Sequence, residues 1–182
     1  MAANQNLLLH HVDVVQAFLC GILDKTVFIR PPPGIDCPPG MVWRLKKSLY
    51  GLWQAPRVFN HFLTNIMVKL GFKTTKHDPC LFVLKKGGVC IYVAVFVDDL
   101  VVAGSSEAAI EAFKEQMRRH VEIKDLGSLA WCLGVKIEQD LVAGTVSLSQ
   151  ELFVHDVLEK QGEAGDDSAK HGPSVAWCCD LR

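Results

Sequence analysis

The longest apolar run in the sequence, residues 89–97, constrains the fold more than any other feature. Before it stand an apolar segment at 80–84 and a Lys-Lys-Gly-Gly sequence at 85–88, which is typical of a hairpin turn. After it, Asp98-Asp99 is followed by a further apolar segment at 100–104. Nine apolar residues are too few to span a bilayer. We therefore expect the run to be a buried strand of an antiparallel sheet.

Two segments have the periodicity of amphipathic helices. The first begins near Pro56, which suits a helix start because it has no backbone N–H, and Gly71 ends it. The second follows Ser105 or Ser106, either of which can cap it. Their apolar stripes are Phe59, Phe62, Leu63, Ile66 and Leu70 in the first helix, and Ile110, Phe113 and Met117 in the second. Each stripe predicts a helix that packs on a sheet.

The remaining segments indicate a mixed fold without a regular βαβ alternation. The apolar residues 7–15 predict a buried strand. Residues 27–40 contain five prolines, which have no N–H for a sheet ladder, and predict an ordered loop. Weaker patterns predict strands at 41–45, 131–137 and 145–148 and short helices at 16–23 and 150–160. This order of elements favours an α+β sandwich with helices on one face.

Composition indicates one globular domain whose surface is not basic overall. The chain has 182 residues, 49% of them hydrophobic, which suffices for a buried core. Its formal net charge is −1, so any grip on nucleic acid must be local or incomplete. The seven cysteines form no CxxC pair, and the N-terminus has no signal-peptide pattern. We expect reduced thiols in an intracellular protein, cytoplasmic or nuclear, that is neither secreted nor bound to a membrane.

Asp98 and Asp99 interrupt the most apolar part of the chain, where adjacent carboxylates repel each other and lose hydration. Such a pair favours a cation, and Asp13, in another apolar strand, can complete a divalent metal site if the two segments are neighbours. Other interpretations stay open. Asp98-Asp99 fits an exposed hairpin turn, although the preferred two-residue turns place Gly second. Asp13 by itself fits a hydrogen-bonded acid at a strand end.

Several short motifs occur along the chain in a fixed order. They are Val12-Asp13-Val14, Ala17-Phe18-Leu19, Ser48-Leu49-Tyr50-Gly51-Leu52, Gln54-Ala55-Pro56-Arg57, Asp78-Pro79-Cys80-Leu81-Phe82, Phe96-Val97-Asp98-Asp99, Lys124-Asp125-Leu126-Gly127 and Leu133-Gly134-Val135. In this order they resemble the reverse transcriptase domain of copia-type LTR retrotransposons. The resemblance covers about residues 7–161, and a series of motifs is far more specific than a lone Asp-Asp pair.

The resemblance implies a right-hand polymerase palm over residues 1–161, with an antiparallel sheet, helices packed on one face and incomplete fingers. It implies that Asp13, Asp98 and Asp99 are catalytic and hold two Mg²⁺ ions, for which Mn²⁺ can substitute. The partners implied are deoxynucleoside triphosphates and an RNA or DNA template with its primer. The missing finger strands and RNase H domain would come from other segments. We expect residues 162–182, which have no periodicity, to be disordered.

The resemblance also implies nucleotide-binding residues. Phe18 matches an aromatic ring under the sugar that rejects a 2′-hydroxyl. Tyr50, Gly51, Gln54 and Arg57 match a loop-to-helix segment beside the nucleotide and template, where glycine permits close backbone approach and arginine can meet a phosphate. The residues alone also permit simpler roles, which are core packing for Phe18 and a turn with a helix start for the others.

Four further residues match contacts to the primer or template. Leu133 and Gly134 match a hairpin that steadies the primer end, and Lys124 lies in the segment before it. Phe96 stands where the family usually has Tyr, which keeps a ring against the minor groove but loses a hydroxyl. Trp53 replaces a usual Lys and removes a charge that would contact phosphate.

The sequence leaves three functions open. The intact acids favour a reverse transcriptase fragment of a retrotransposon polyprotein. The missing fingers and near-neutral charge favour a non-catalytic remnant or scaffold that keeps the palm fold. A small nucleic-acid-binding module on a ferredoxin-like sheet would need exposed aromatic residues with basic flanks, a pattern that the sequence does not clearly display.

Overall fold

The computed structural model describes residues 2–162 of the chain. The segment predicted to be disordered, residues 162–182, lies outside the described residues except for Gly162, which ends the last helix. The strands are β1 (Leu8–Val14), β2 (Phe28–Ile29), β3 (Trp43–Arg44), β4 (Lys73–Thr74), β5 (Leu81–Lys86), β6 (Val89–Phe96), β7 (Asp99–Gly104), β8 (Ile123–Ser128), β9 (Trp131–Cys132), β10 (Val135–Asp140) and β11 (Thr145–Ser149). The helices are α1 (Ala17–Cys20), α2 (Ala55–Lys69), α3 (Glu107–Arg118) and α4 (Glu151–Gly162). None of these four helices is both long and apolar enough to cross a membrane.

The largest sheet has six strands in the order β4-β5-β6-β7-β1-β8, and every neighbouring pair in it is antiparallel. Smaller sheets are formed by β11-β10-β9 and by β2-β3. The apolar run is β6, and the predicted Lys-Lys-Gly-Gly turn joins it to β5, since Gly87 and Gly88 have φ of 58° and 81°. The predicted α+β class with an antiparallel sheet is confirmed.

One face of the large sheet is covered by helices. Side chains alternate along each strand, so Val12 and Val14 of β1 and Leu100 of β7 point to the same side and are buried. They belong to one hydrophobic core that also contains the buried residues of α2 and α3. The same alternation places Asp13 and Asp99 on the opposite, open face.

Both predicted amphipathic helices are confirmed. α2 has Pro56 in its first turn, and Gly71, which follows its C-cap Leu70, has a φ of 89° that favours glycine. α3 begins after Ser106, whose hydroxyl accepts a 3.3 Å hydrogen bond from the N–H of Ala109.

The structure corrects the strands predicted from sequence at several places, and the two-residue strand β4 is one that was not predicted. Phe28–Ile29, expected in a loop, pairs with Trp43–Arg44, which is the only part of the predicted strand 41–45 that is extended. The predicted strand 131–137 is two strands, because Leu133-Gly134 closes a hairpin with φ of 52° and 78°. β8 was not predicted, since its segment is largely polar and contains a glycine.

The turn between β6 and β7 is strained. Phe96 pairs with Asp99, so the loop consists of Val97 and Asp98 alone. Val97 has a φ of 55°, a left-handed conformation that β-branched residues rarely adopt and that costs roughly 1–2 kcal/mol. The turn is held from β1, where the N–H of Val14 donates a 2.8 Å hydrogen bond to the carbonyl of Asp98.

We expect Val97→Gly to raise the free energy of unfolding by roughly 0.5–1 kcal/mol, because glycine adopts a positive φ without steric strain and Val97 is 40% exposed. Val101→Gly, in the extended part of β7, should lower it instead. Urea unfolding of both variants measures the difference. A loss of stability in both would show that the turn is not strained.

Gly104 lies where β7 ends against α3. A Cβ added at this position would lie 2.5 Å from Cγ1 of Ile110. We expect Gly104→Ala to lower the free energy of unfolding by about 1–3 kcal/mol through overpacking. When Ile110→Ala is added, the combined loss in urea unfolding should be smaller than the sum of the two single losses. Additive losses would contradict the contact.

Candidate carboxylate site

The three acids singled out in the sequence meet at one end of the β1–β7 ladder. Asp13 and Asp99 are direct partners across these antiparallel strands, and Asp98 is in the adjoining turn. Directly opposite residues have Cβ atoms about 5 Å apart, so side chains from distant parts of the chain become neighbours. The structure therefore brings the three acids together on the open face of the sheet.

The three carboxylates repel one another. Burial raises the pKa of Asp13 above its ordinary value, and the charges of Asp98 and Asp99 raise it further. Lys124 and His11 oppose this rise in the pKa of Asp13. Neither Asp13 nor Asp98 forms a side-chain hydrogen bond or salt bridge with any residue in the described part of the chain. The cluster is therefore short of positive partners.

His11 is a site residue that the sequence analysis did not single out. It lies two positions before Asp13 in β1, so both side chains are on the open face, and its Nε2 is 2.7 Å from Oδ1 of Asp99. The available signal was a His and an Asp at period-2 spacing within an apolar strand. The pair gives Asp99 a side-chain partner, which Asp13 and Asp98 do not have among the residues that the structure describes.

Phe18 and Tyr50 form an aromatic wall beside the acids. Their ring centroids are 4.9 Å apart in an edge-to-face arrangement. Burial raises the pKa of Tyr50, and the charges of Asp98 and Asp13 raise it further, so the phenol lies within electrostatic reach of the carboxylates. Phe18 also contacts Phe59 of α2 and thus packs against the core, as its simpler interpretation predicted.

Gly51, Gln54 and Arg57 lie between Tyr50 and the first turn of α2. Gly51 has a φ of 89°, which only glycine adopts readily. Gln54 is the N-cap residue of α2, without a side-chain capping bond. Arg57 forms an ion pair with Asp24, and this contact lowers the pKa of Asp24. In this ion pair Nη2 of Arg57 is engaged by Asp24, so a phosphate at Arg57 would meet the other guanidinium donors or compete with Asp24.

Lys124 and Phe96 flank the acids on neighbouring strands. Lys124 of β8 is the partner of Asp13, and Phe96 of β6 is the partner of Asp99. Four adjacent strands thus contribute one row of side chains across the open face, which we call the carboxylate row: Phe96, Asp99, Asp13 and Lys124.

The β9–β10 hairpin, which carries Leu133 and Gly134, lies close to this row. Burial raises the pKa of Cys132, the last residue of β9, and the charge of Asp99 raises it further. This electrostatic contact places the hairpin near the acids.

Gln139 of β10 attaches the same hairpin to the start of β1. Its Nε2 donates a 2.6 Å hydrogen bond to the carbonyl of Leu7, and its Oε1 accepts one of 3.2 Å from the N–H of Leu9. The side-chain amide therefore pairs with β1 as the backbone of another strand would.

The acids have the chemistry of divalent-cation ligands. Hard carboxylate oxygens without protein partners suit Mg²⁺, which needs few protein ligands because it keeps several waters. The ligand oxygens of Asp13, Asp98 and Asp99 do not all lie within 4.8 Å of one another, so the side chains must rotate for all three to share an ion.

A different set of residues does meet this 4.8 Å limit: the candidate ligand atoms of His10, Glu107 and Glu111 all lie within it of one another. The ammonium of Lys114 already contacts two of them, at 2.9 Å from Nδ1 of His10 and 2.7 Å from Oε1 of Glu111. We therefore interpret this set as an internal ion-pair network.

We expect Asp13→Asn to stabilise the metal-free protein at pH 7 by roughly 0.5 kcal/mol, because it removes a charge from the repelling cluster. Since the folded-state pKa of Asp13 is raised, the penalty is present when Asp13 is ionised and is lost as the pH falls through that pKa. Urea unfolding in EDTA at pH 7 and near pH 4 should show the gain shrinking. Asp36→Asn, in an exposed loop, changes the net charge equally and should give no gain.

Comparison with known proteins supports the implied ancestry. The sequence profile of a family described as "Reverse transcriptase (RNA-dependent DNA polymerase)" matches residues 1–175. The "Retrovirus-related Pol polyprotein from transposon RE1" of Arabidopsis thaliana is 33% identical over 162 residues, which are 88% of this chain and 11% of that protein. The corresponding polyprotein from transposon TNT 1-94 of Nicotiana tabacum is 32% identical over 163 residues, 88% of this chain and 12% of that protein.

A shorter relative covers a similar part of the chain. The "Putative transposon Ty5-1 protein YCL074W" of Saccharomyces cerevisiae is 33% identical over 145 residues, 79% of this chain and 47% of that protein. The chain thus spans about a tenth of the two plant polyproteins and about half of the yeast protein. It belongs to the reverse transcriptase family, as a domain of the kind found in Pol polyproteins of copia-type retrotransposons.

Proposed function

We propose that this chain is the palm, with incomplete fingers, of an RNA-directed DNA polymerase that adds deoxynucleotides to a primer 3′-hydroxyl with two Mg²⁺ ions. The observation that carries this proposal is the meeting of Asp13, Asp98 and Asp99 on the open face, two of them without a partner in the described chain. Like charges opposite each other destabilise a sheet, so the cluster is unfavourable unless a cation binds.

The chain's own residues hold and shape the reaction site. The carboxylates of Asp13 and Asp98, which form no side-chain hydrogen bond or salt bridge within residues 2–162, can ligate the ions. His11 orients the carboxylate of Asp99 through their 2.7 Å contact. When bound, the ions would activate the primer hydroxyl and stabilise the pyrophosphate leaving group. Phe18 and Tyr50 form the wall against which the sugar of the incoming nucleotide would pack.

The ends of the carboxylate row would contact the primer. Lys124 supplies an ammonium beside Asp13, and ammonium groups bind phosphate as point charges. Phe96 presents a partly exposed ring beside Asp99, which can pack against the minor groove. The turn residues Leu133 and Gly134 would steady the primer end from the adjacent hairpin.

The segment before α2 supports a local grip on a nucleic acid strand. Residues 21–57 contain six basic and two acidic residues, although the whole chain carries a net charge of −1. Four aromatic side chains of this segment are exposed: Phe28, Trp43, Tyr50 and Trp53. Exposed rings among basic residues can stack on bases while the cations meet phosphates. The template side of the proposed site would lie here, with Gln54 and Arg57 at its border.

We expect the chain, incubated with a primed RNA template and deoxynucleoside triphosphates, to extend the primer in the presence of Mg²⁺ or Mn²⁺. Asp98→Asn should reduce extension by about 100-fold or more, because loss of a metal ligand removes several kcal/mol of transition-state stabilisation. Asp156→Asn is the matched control, since it makes the same change on the exposed helix α4, outside every segment of the proposed site, and should retain extension.

Two results would contradict polymerase activity in this fragment. Salt-sensitive RNA binding without extension, unchanged by Asp98→Asn, would indicate a nucleic-acid-binding module of the kind that the exposed aromatic residues favour. The absence of both extension and RNA binding would indicate a non-catalytic remnant. Because the chain spans a small part of the plant polyproteins, extension should also be tested with further Pol segments present, which would supply fingers and RNase H.

A further inference from the structure

Lys114 of α3 is a buried charge that the proposed function does not use. Its side chain is 1% exposed, and its ammonium donates one hydrogen bond to each of three acceptors: Nδ1 of His10 (2.9 Å), Oε1 of Glu111 (2.7 Å) and Oδ2 of Asp125 (2.8 Å). A buried ammonium is tolerated when every donor is satisfied and its partners include carboxylates. This Lys114 network joins α3 to both β1 and β8.

The contact with Lys114 also indicates which ring nitrogen of His10 accepts and which donates. An ammonium can only donate, so Nδ1 of His10 must accept, and the neutral ring carries its proton on Nε2. That Nε2 lies 3.1 Å from Oε2 of Glu107 and donates to it. The network is therefore closed by groups of the chain itself.

Asp125 connects this network to an irregularity in β8. Between two successive pairings with β1, from Val12 to His10, β8 advances by three residues, from Asp125 to Ser128, which is the mark of a bulge. One oxygen of Asp125 accepts the Lys114 bond, and the other accepts a 3.0 Å bond from the N–H of Gly127 within the bulge. Asp125 thus fastens the bulge to α3.

The register that the bulge sets decides which residue lies beside Asp13. Lys124 is the partner of Asp13 on the open face, while Asp125 points to the covered face and reaches Lys114. A slip of β8 by one residue would exchange these faces, because side chains alternate along a strand. It would turn the ammonium of Lys124 away from the site, and a slip that sets Asp125 opposite Asp13 would also bring a fourth carboxylate to it.

We propose that Lys114 and Asp125 are positioning residues whose ion pair, on the covered face, holds the register of β8 and thereby keeps the Lys124 ammonium beside Asp13. Lys124 in that place offsets the negative charge of the site and weakens its affinity for divalent cations. This second step rests on the proposed function, in which the carboxylates bind such ions.

The test is a double-mutant cycle on Mn²⁺ affinity, measured by electron paramagnetic resonance of free Mn²⁺ at pH 8. Lys124→Met should tighten Mn²⁺ binding about two- to fivefold, the range expected for one exposed charge interaction. The Asp125→Asn variant should already bind Mn²⁺ more tightly than the unmodified protein. Adding Lys124→Met to this variant should then raise the Mn²⁺ affinity by less than about 1.5-fold. Such coupling is not expected of a residue that only contributes stability.

Glu111→Gln is the matched control, because it removes the other carboxylate from the same ammonium but does not touch β8. In its background Lys124→Met should keep its full effect on Mn²⁺ binding. The proposal is overturned if Lys124→Met has the same effect in Asp125→Asn as in the unmodified protein, or if Glu111→Gln abolishes that effect equally.

A second variant serves if Asp125→Asn does not fold. Gly127→Ala strains the bulge, where φ is 74° and a Cβ would meet no atom within 4 Å, and it should uncouple Lys124 as Asp125→Asn does. Gly144→Ala imposes a similar strain in the β10–β11 turn, where φ is 65°, and should leave the coupling intact. Equal effects of the two glycine variants would contradict the proposal.

Amide hydrogen exchange separates failure of the inference from failure of the proposed function. If the unmodified protein binds no Mn²⁺, the proposed metal site is wrong. Amide hydrogen exchange in β8 then tests separately whether Asp125 holds the register of that strand. Asp125→Asn should accelerate exchange in residues 123–128 more than tenfold beyond Glu111→Gln. Equal acceleration by the two variants would overturn the proposed role of Asp125.

Discussion

The antiparallel pairing of β1 with β7 is the constraint on which the rest of the structure depends. The ladder that buries Val12 opposite Leu100 also places Asp13 opposite Asp99 on the other face. Moving β1 by a single residue would expose Val12 and bury Asp13 in its place, at the cost of an uncompensated charge in the core. The packing of the core and the grouping of the acids therefore depend on the same register. A change in this register would disturb both.

The parts of the fold that sequence predicted well are those where a hydrophobic pattern specifies burial. β1, β6, α2 and α3 have such patterns, and the structure has these elements at nearly the expected limits. β8 was missed because its place is determined by ion pairing and a bulge, and neither produces apolar alternation. The pairing of β2 with β3 was missed because the prolines that follow β2 predicted a loop, whereas its two residues pair with a strand 14 or more residues later. The three acids were identified as a candidate site, but their adjacency, and the contact of His11 with Asp99, arise from cross-strand pairing that spacing along the chain does not encode.

The two faces of the large sheet differ in how far their charged side chains are paired. On the covered face, one ammonium, that of Lys114, finds three acceptors within the chain, so the buried network is complete. On the open face, three carboxylates meet, and only Asp99 has a close partner among the described residues. A protein can retain such an imbalance where a ligand supplies the missing charge. The contrast explains why the compact His10–Glu107–Glu111 set, despite its geometry, is the less plausible place for a metal ion.

The amide of Gln139 has a consequence for motion. Its two hydrogen bonds fasten the β9–β10 hairpin to the end of β1 that lies away from Asp13. The tip of the hairpin, at Leu133 and Gly134, lies several residues away from this attachment. Two such bonds contribute about 1–3 kcal/mol in total, and by themselves they would allow a detached state at roughly 1 to 15 per cent. We expect the tip to be able to tilt away from the acids and return while the six-stranded sheet that holds them keeps its pairing.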